Sequence, residues 1–200
     1  MSLDPQLIIM AKRPQIGRVK TRLARDIGAA EALRFFRGAS ASLIRRVARD
    51  PRWQTVIAVA PDLAVHERGI WPADIPRVTQ GDGDLGARMG RLFHELPPGP
   101  VIIIGADIPG ITRTHVASAF AALGQHDAVL GPADDGGYWL VGLRRRPRVA
   151  EIFADVRWSS EDTFNDTAKN IRGQGLSLAV IGTLADIDTG DDFRKWRQAR

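Results

Sequence analysis

Val101-Ile102-Ile103-Ile104-Gly105-Ala106-Asp107-Ile108-Pro109 is the stretch whose reading decides the fold. Four β-branched residues in an unbroken run are stiff at χ1, suit a pleated strand and need apolar cover on both faces. That is the signature of a central strand in a sheet with helices above and below. The run stops abruptly, and a lone carboxylate, Asp107, emerges where α/β sheets place their ligands, outside the carboxyl ends of the strands. A charge there is costly unless it is paired or metal-bound, and a hard cation such as Mg²⁺ suits it.

On either side of this run, short apolar segments alternate with longer ones of helical period. Strands are expected at 6–11, 55–60, 77–79, 101–104, 128–130, 137–143 and 176–181, and helices at 29–48, 85–96, 112–124, 147–153, 161–172 and from 191 onward. Asp84 and Thr112 are the expected N-caps of two of them. There is no internal repeat, low-complexity tract or linker. The expectation is therefore a single α/β domain over residues 1–200, a three-layer α/β/α sandwich on a mostly parallel sheet.

Composition narrows the function. With 200 residues, 44% of them hydrophobic and 26% charged, the chain can bury a core of its own. The absence of cysteine excludes disulfides, thiolate nucleophiles and cysteine zinc sites, and no apolar run approaches the ~18 residues of a membrane span. Together with the lack of a signal-peptide pattern, this gives a cytoplasmic expectation. The net charge of +5 is unevenly spread, since residues 1–50 alone carry +7. Such a concentration suits a localised anion site rather than a wholly basic face.

Five cations, Lys12, Arg13, Arg18, Lys20 and Arg22, fall in the eleven residues after the first strand, together with Gly17 and Thr21. A glycine that permits close backbone approach, followed by a helix N-terminus, can cradle phosphates. The loop is not a Walker A motif, because only the Lys20-Thr21 end of G-x-x-x-x-G-K-S/T is present. Gln80-Gly81-Asp82-Gly83-Asp84 offers backbone that can lie against a flat nucleoside and carboxylates that accept from base or ribose. Asp134-Asp135-Gly136-Gly137-Tyr138-Trp139 combines carboxylates with aromatic rings, as an acceptor-binding loop does, although Asp-Gly also suits a hairpin turn. Asp186-Ile187-Asp188-Thr189-Gly190-Asp191-Asp192 carries four carboxylates; the last two start a helix and leave Asp186 and Asp188 for function. The histidines lack metal-ligand spacing, and Ser159 and Ser160 lie outside any G-x-S-x-G elbow.

In their order along the chain, A-K-R-P-Q-I-G-R-V-K-T-R-L-A-R-D-I-G at 11–28, Q-G-D-G-D-L-G-A-R-M at 80–89, G-A-D-I-P at 105–109, G-P-A-D-D-G-G-Y-W-L at 131–140, W-S-S-E at 158–161 and D-I-D-T-G-D-D-F at 186–193 resemble the bacterial glycosyltransferase-A-like family of nucleotide-diphospho-sugar transferases. The fold is shared by the 2-phospho-lactate and molybdenum cofactor guanylyltransferases. The resemblance implies a Mg²⁺ (or Mn²⁺) transferase with a nucleotide-activated donor and a small acceptor. By resemblance Asp107 and Asp188 hold the metal, with Gly190 standing where proline is commoner. Lys12, Arg13, Gly17, Lys20, Thr21, Arg22 and Gly81 to Asp84 would bind the nucleotide. Asp134, Asp135, Gly136, Gly137, Tyr138 and Trp158 would bind the acceptor, and Lys20, Asp107 and Asp135 would carry catalysis.

Two reactions stay open at this point: sugar transfer from a nucleotide sugar, and nucleotidyl transfer from a nucleoside triphosphate. The family resemblance favours the first, which is the leading expectation, while the single carboxylate after the central strand, in place of Asp-x-Asp, favours the second. Lys20 and Arg22 are expected at the solvent end of the sheet, in a loop whose five cations repel one another. A nucleic-acid-binding module using the arginines at 34–49 and 144–148 is the alternative from another class; one tyrosine and no stacking array argue against it.

Overall fold

The β-branched run forms β4 (Val101–Gly105), and its neighbours explain why it reads as central. The computed structural model describes residues 3–199. The chain runs β1 (Gln6–Lys12), α1 (Thr21–Ile27), α2 (Ala29–Val47), β2 (Gln54–Ala60), a 3-10 turn (Asp62–His66), β3 (Arg77–Thr79), α3 (Leu85–Glu95), β4, α4 (Arg113–Leu123), β5 (Ala128–Pro132), β6 (Tyr138–Leu143), α5 (Thr163–Gly173), β7 (Leu178–Val180) and α6 (Gly190–Gln198). The seven strands make one sheet in the order β3-β2-β1-β4-β6-β5-β7. β4 runs parallel to β1, with Ile9 beside Ile104, and antiparallel to β6, with Ile104 beside Leu140. Only β6 is reversed, because β5 and β6 are joined by a tight turn and pair antiparallel.

The period of two in β4 sorts its side chains into two layers. Ile102 and Ile104 enter a core with Leu43, Ile44 and Val47 of α2 and Val116, Ala119 and Leu123 of α4. Val101 and Ile103 enter the opposite core with Met89, Leu92 and Phe93 of α3 and Ala168 and Ile171 of α5. This is the expected three-layer α/β/α sandwich. A third cluster, with Leu23 of α1, Phe35 of α2, Ile187 and Phe193 of α6, locks the last segment against the first helices.

Asp84 and Thr112 cap their helices as expected, accepting from Ala87 N and His115 N. Two expectations need correction, and one further helix was not expected. No helix forms at 147–153; Ala150 and Ile152 are drawn into the second core, while Asn170 of α5 and Gln174 just after it donate to the carbonyls of Ile152, Ala154 and Glu151. Side-chain amides thus replace the bonds a helix would have made. The helix expected at 29–48 is preceded by α1, divided from α2 by Gly28 at φ +85°. The last strand is shorter than 176–181 and lies at the sheet edge.

Candidate active site at the carboxyl ends of β1 and β4

The loop after β1 closes on Lys20, the N-cap of α1, whose φ of 45° lies in the left-handed region that non-glycine residues rarely occupy. The side chain points inward and is only 3% exposed. Its ammonium lies 3.0 Å from Asp107 Oδ2, 2.8 Å from Asp186 Oδ1 and 2.9 Å from Asp188 Oδ1. Asp107 comes from the end of β4; Asp186 and Asp188 flank Ile187, which is buried in the third core. Gly190 contributes from behind, its N–H donating to Asp26 Oδ2 at 2.7 Å, a bond that a proline could not make.

Burial alone would lower the Lys20 pKa, but the three carboxylates outweigh it and hold the proton above the ordinary lysine range. Asp186 shifts upward: its burial, with Asp107 and Asp188 close by, outweighs the attraction of Lys20. Arg22 adds a second cation, 3.6 Å from Asp188 Oδ2 and largely exposed. Three carboxylates against two cations leave this corner net negative.

Among the described residues no group of three or more His, Asp or Glu side chains is arranged to hold a metal alone. The donor chemistry nevertheless fits: Asp107 and Asp188 offer hard oxygens that both lie within 3.0 Å of the Lys20 ammonium, and Mg²⁺ typically takes one or two carboxylates together with water and substrate phosphates.

Two cavities meet this corner. A cleft of about 230 Å³ runs over the sheet ends, lined by Lys20, Asp107, Gln80, Leu85 and Tyr138. A pocket of about 190 Å³, lined by Asp135, Gly137, Tyr138, Trp158 and Asp186, opens beside it. Leu85, 44% exposed, and Tyr138 line both. A third, shallower cavity of about 570 Å³ lies along the basic loop, between Lys12, Arg13 and Arg18 on one side and Gly81, Asp82 and Arg88 on the other.

The structure therefore brings most of the expected site residues to one rim and corrects part of the reading. Lys20 is enclosed rather than solvated. Three of the five cations are drawn apart, because Arg13 pairs with Glu67 at 2.8 Å, Lys20 turns to its carboxylates and Arg22 leans on Asp188. Asp186 and Asp188, between which the sequence left a choice, both reach Lys20. Asp134 is exposed and outside the small pocket, whereas Asp135 lines it while accepting from Gly137 N at 3.0 Å. Among the histidines, His94 binds Glu151 and His115 completes the Thr112 cap.

Sequence reading missed the residues that hold the glycine loop. Arg91 donates to the carbonyls of Gln80 and Asp82, and Arg88 to that of Gly83. Asp62 accepts from Gly81 N, and the buried Gln80 amide donates to the carbonyls of Ala11 and Ala58, joining the ends of β1 and β2. Two arginines three residues apart just after a glycine loop are a usable signal for the first pair. Asp62, nineteen residues upstream of its partner, gave none.

Known proteins place this geometry. No curated protein matches the chain in sequence. A Desulfovibrio desulfuricans structure described as a "putative nucleotide-diphospho-sugar transferase" is 27% identical, with a TM-score of 0.90 over 100% of this chain and 88% of that one. A CMP:2-keto-3-deoxy-manno-octonic acid synthetase complexed with CTP shares the fold at 12% identity and a TM-score of 0.59, covering 98% of each chain. A Mycobacterium tuberculosis protein in complex with manganese does so at 15% identity and 0.54, over 99% of this chain and 100% of that one. The fold is that of the nucleotide-diphospho-sugar transferases. A family model described as an uncharacterized protein conserved in bacteria (DUF2064) matches residues 43–160, more than half of the sequence, and the chain belongs to that family.

Proposed function

We propose that the protein is a divalent-metal-dependent transferase that moves a sugar from a nucleotide-diphospho-sugar to a small acceptor. The observation that carries this reading is the convergence of Lys20 with Asp107, Asp186 and Asp188 where the donor cleft meets the small pocket. Lys12, Lys20 and Arg22, with the backbone around Gly17 and Thr21, face the donor phosphates; Gly81 to Asp84 receive the nucleoside. Asp107 and Asp188 hold Mg²⁺ or Mn²⁺, which when bound supplies neutralisation of the diphosphate charge.

The acceptor hydroxyl oxygen attacks the anomeric carbon and forms the new C–O bond. The bond from that carbon to the diphosphate oxygen breaks, and its electron pair leaves with the nucleoside diphosphate. The hydroxyl proton passes to the Asp135 carboxylate, acting as general base. Lys20 stays protonated through neutral pH, as its raised pKa ensures, and sets a fixed positive charge beside the leaving oxygens. No protein nucleophile is required, because positioning and preorganised charge carry such transfers.

Four of the nine arginines at 34–49 and 144–148 are occupied within the protein. Arg46 donates to the carbonyls of Pro109 and Ile111, Arg49 grips Asp74, Arg144 pairs with Asp127, and Arg145 donates to the carbonyls of Leu96, Pro97 and Gly99. No helix among the described residues is long and apolar enough to cross a membrane.

The test is incubation with panels of nucleotide sugars and of nucleoside triphosphates, each with and without Mg²⁺, scoring nucleoside diphosphate against pyrophosphate release. Metal-dependent nucleoside diphosphate release supports sugar transfer. Pyrophosphate release assigns nucleotidyl transfer, to which the single carboxylate after β4 also points. Neither product from any donor overturns the transferase reading.

A further inference from the structure

Every wall of the small pocket beside the carboxylates can be named, and none of the walls is cationic. Leu85, Ile108 and Ala133 form its apolar part, and Tyr138 and Trp158 its rings. Ser159, Ser160 and Thr163 bring hydroxyls, those of Ser160 and Thr163 already donating to the Arg157 carbonyl, and Asp135 and Asp186 are the only charged residues that line it. The nearest arginine in sequence, Arg157, is committed to Asp166 through two guanidinium hydrogen bonds and to Asp162 at 2.6 Å. Lys20, 2.8 Å from the lining residue Asp186, is shared among three carboxylates.

The walls are also held in place. The Trp158 ring packs against Phe153, with centroids 5.8 Å apart, and against Gly86, where a Cβ would sit 2.6 Å from Trp158 Cζ2. The turn that carries Asp135 is pinned by Phe164 N donating to Gly136 O at 2.9 Å. An incoming anion therefore meets Arg157 and Lys20 already paired with carboxylates of the protein.

We propose that this pocket selects a small, uncharged, hydroxyl-bearing acceptor, a polyol or single sugar unit, and excludes phosphorylated and carboxylated ones. The inference rests on the transferase reading for the pocket's role but not for its charge selectivity. Three features of the pocket point to this class. Carboxylates accept from hydroxyl groups, the Ser159 hydroxyl can accept or donate, and an indole lining the pocket suits the C–H face of a sugar. An anionic acceptor would be desolvated beside Asp135, which has no cationic partner among the described residues, and Asp186, whose partner Lys20 is already shared with two other carboxylates, which is the costly arrangement. At about 190 Å³ the volume lies below the ~300–1,000 Å³ of drug-sized ligand sites, so the acceptor is small. The donor side, with Lys12, Arg13 and Arg18, takes the anion instead.

The experiment follows the indole N–H signal of Trp158 by ¹⁵N-correlated NMR, assigned through Trp158→Phe. Matched probes differing only in charge are titrated: glycerol against glycerol 3-phosphate, and glucose against glucose 6-phosphate and gluconate. At least one neutral member should shift the Trp158 signal with an affinity about tenfold or more above its anionic partner, and Asp135→Asn should narrow that ratio. The inference is overturned by anionic probes that bind as well as neutral ones, or by silence of the Trp158 signal toward all neutral probes. Nucleotide binding is measured on the same samples by calorimetry. Loss of nucleotide binding with retained neutral-probe selectivity would sink the transferase reading alone, and the reverse would sink only the acceptor class.

Discussion

Two aspartate–glycine loops flank the carboxylate corner, and in sequence they look alike: Gly81-Asp82-Gly83-Asp84 on one side, Asp134-Asp135-Gly136-Gly137 on the other. Their surroundings differ in sign. The first is backed by Arg88 and Arg91 of α3, which fix its carbonyls, and faces Lys12, Arg13 and Arg18 across a cavity. The second is backed by the turn at 158–164, where a Cβ on Gly136 would lie 2.3 Å from Glu161 Cα, and faces a pocket lined by no cation. The electrostatic character of a glycine loop is thus set by the element packed behind it, not by its own residues.

The largest effect should come from the group the two sides share. Lys20→Met leaves Asp107, Asp186 and Asp188 without their common cation. Breaking a buried pair costs about 3–5 kcal/mol, and since these carboxylates are a quarter to a third exposed the expected loss is about 2 kcal/mol. Urea denaturation measures it, and Mg²⁺ should restore more stability to the variant than it adds to the wild type. Equal Mg²⁺ effects would show that the corner has no affinity for a divalent ion.

Next come the two glycines. Gly136→Ala and Gly81→Ala each force a Cβ into a positive-φ position, against the Glu161 backbone in one case and 1.8 Å from the Arg91 guanidinium in the other. Both should destabilise, by about 2–4 and 1–3 kcal/mol respectively, because an arginine end can move and a backbone cannot. The functional outcomes should separate. Gly81→Ala lowers nucleotide affinity, whereas Gly136→Ala lowers acceptor turnover with nucleotide affinity kept. Calorimetry and product assays on both variants check this, and interchanged outcomes would break the contrast between the loops.

Arg91→Ala sharpens the same contrast with a smaller change. Two carbonyl contacts to the glycine loop vanish, and nucleotide affinity should fall by about 1–2 kcal/mol with neutral-probe binding at Trp158 unaltered.

The smallest effect concerns the acid limb of stability on the acceptor side. Arg157 hydrogen bonds hold the Asp166 carboxyl down to about 2, below its ordinary 3.8. A depressed carboxyl stabilises the fold above the unfolded value, and that contribution fades as the pH drops from about 4 toward 2. Melting temperature against pH should flatten over that window in Asp166→Asn; an unchanged slope would show the pair to be without effect.

The fold was legible because β4 is explicit: a β-branched run followed by Gly105 and Asp107 places the sheet centre and one site residue at once. The helix expected at 147–153 failed because local pattern cannot see Asn170 and Gln174 arriving to take its carbonyls. At the site, residue types were readable but their partners were not. Lys20 carries the same charge as its loop neighbours, and only a left-handed backbone and carboxylates from 87 to 168 positions away make it an enclosed cation. The walls of the small pocket come from five separate segments, so their shared lack of positive charge emerges only in the folded chain.

The measurement that bears most directly on the account is calorimetric titration of nucleoside diphosphates and triphosphates, with Mg²⁺ and with EDTA, into the wild type and Asp107→Asn. Asp107 is one-third exposed and ends a strand whose apolar residues carry the packing, so the variant should fold. The account predicts that at least one nucleotide binds the wild type more tightly with Mg²⁺, and that Asp107→Asn reduces the Mg²⁺ gain by about tenfold or more. An Asp107→Asn protein that keeps the whole Mg²⁺-dependent affinity, or a wild type that binds no nucleotide under either condition, would contradict it.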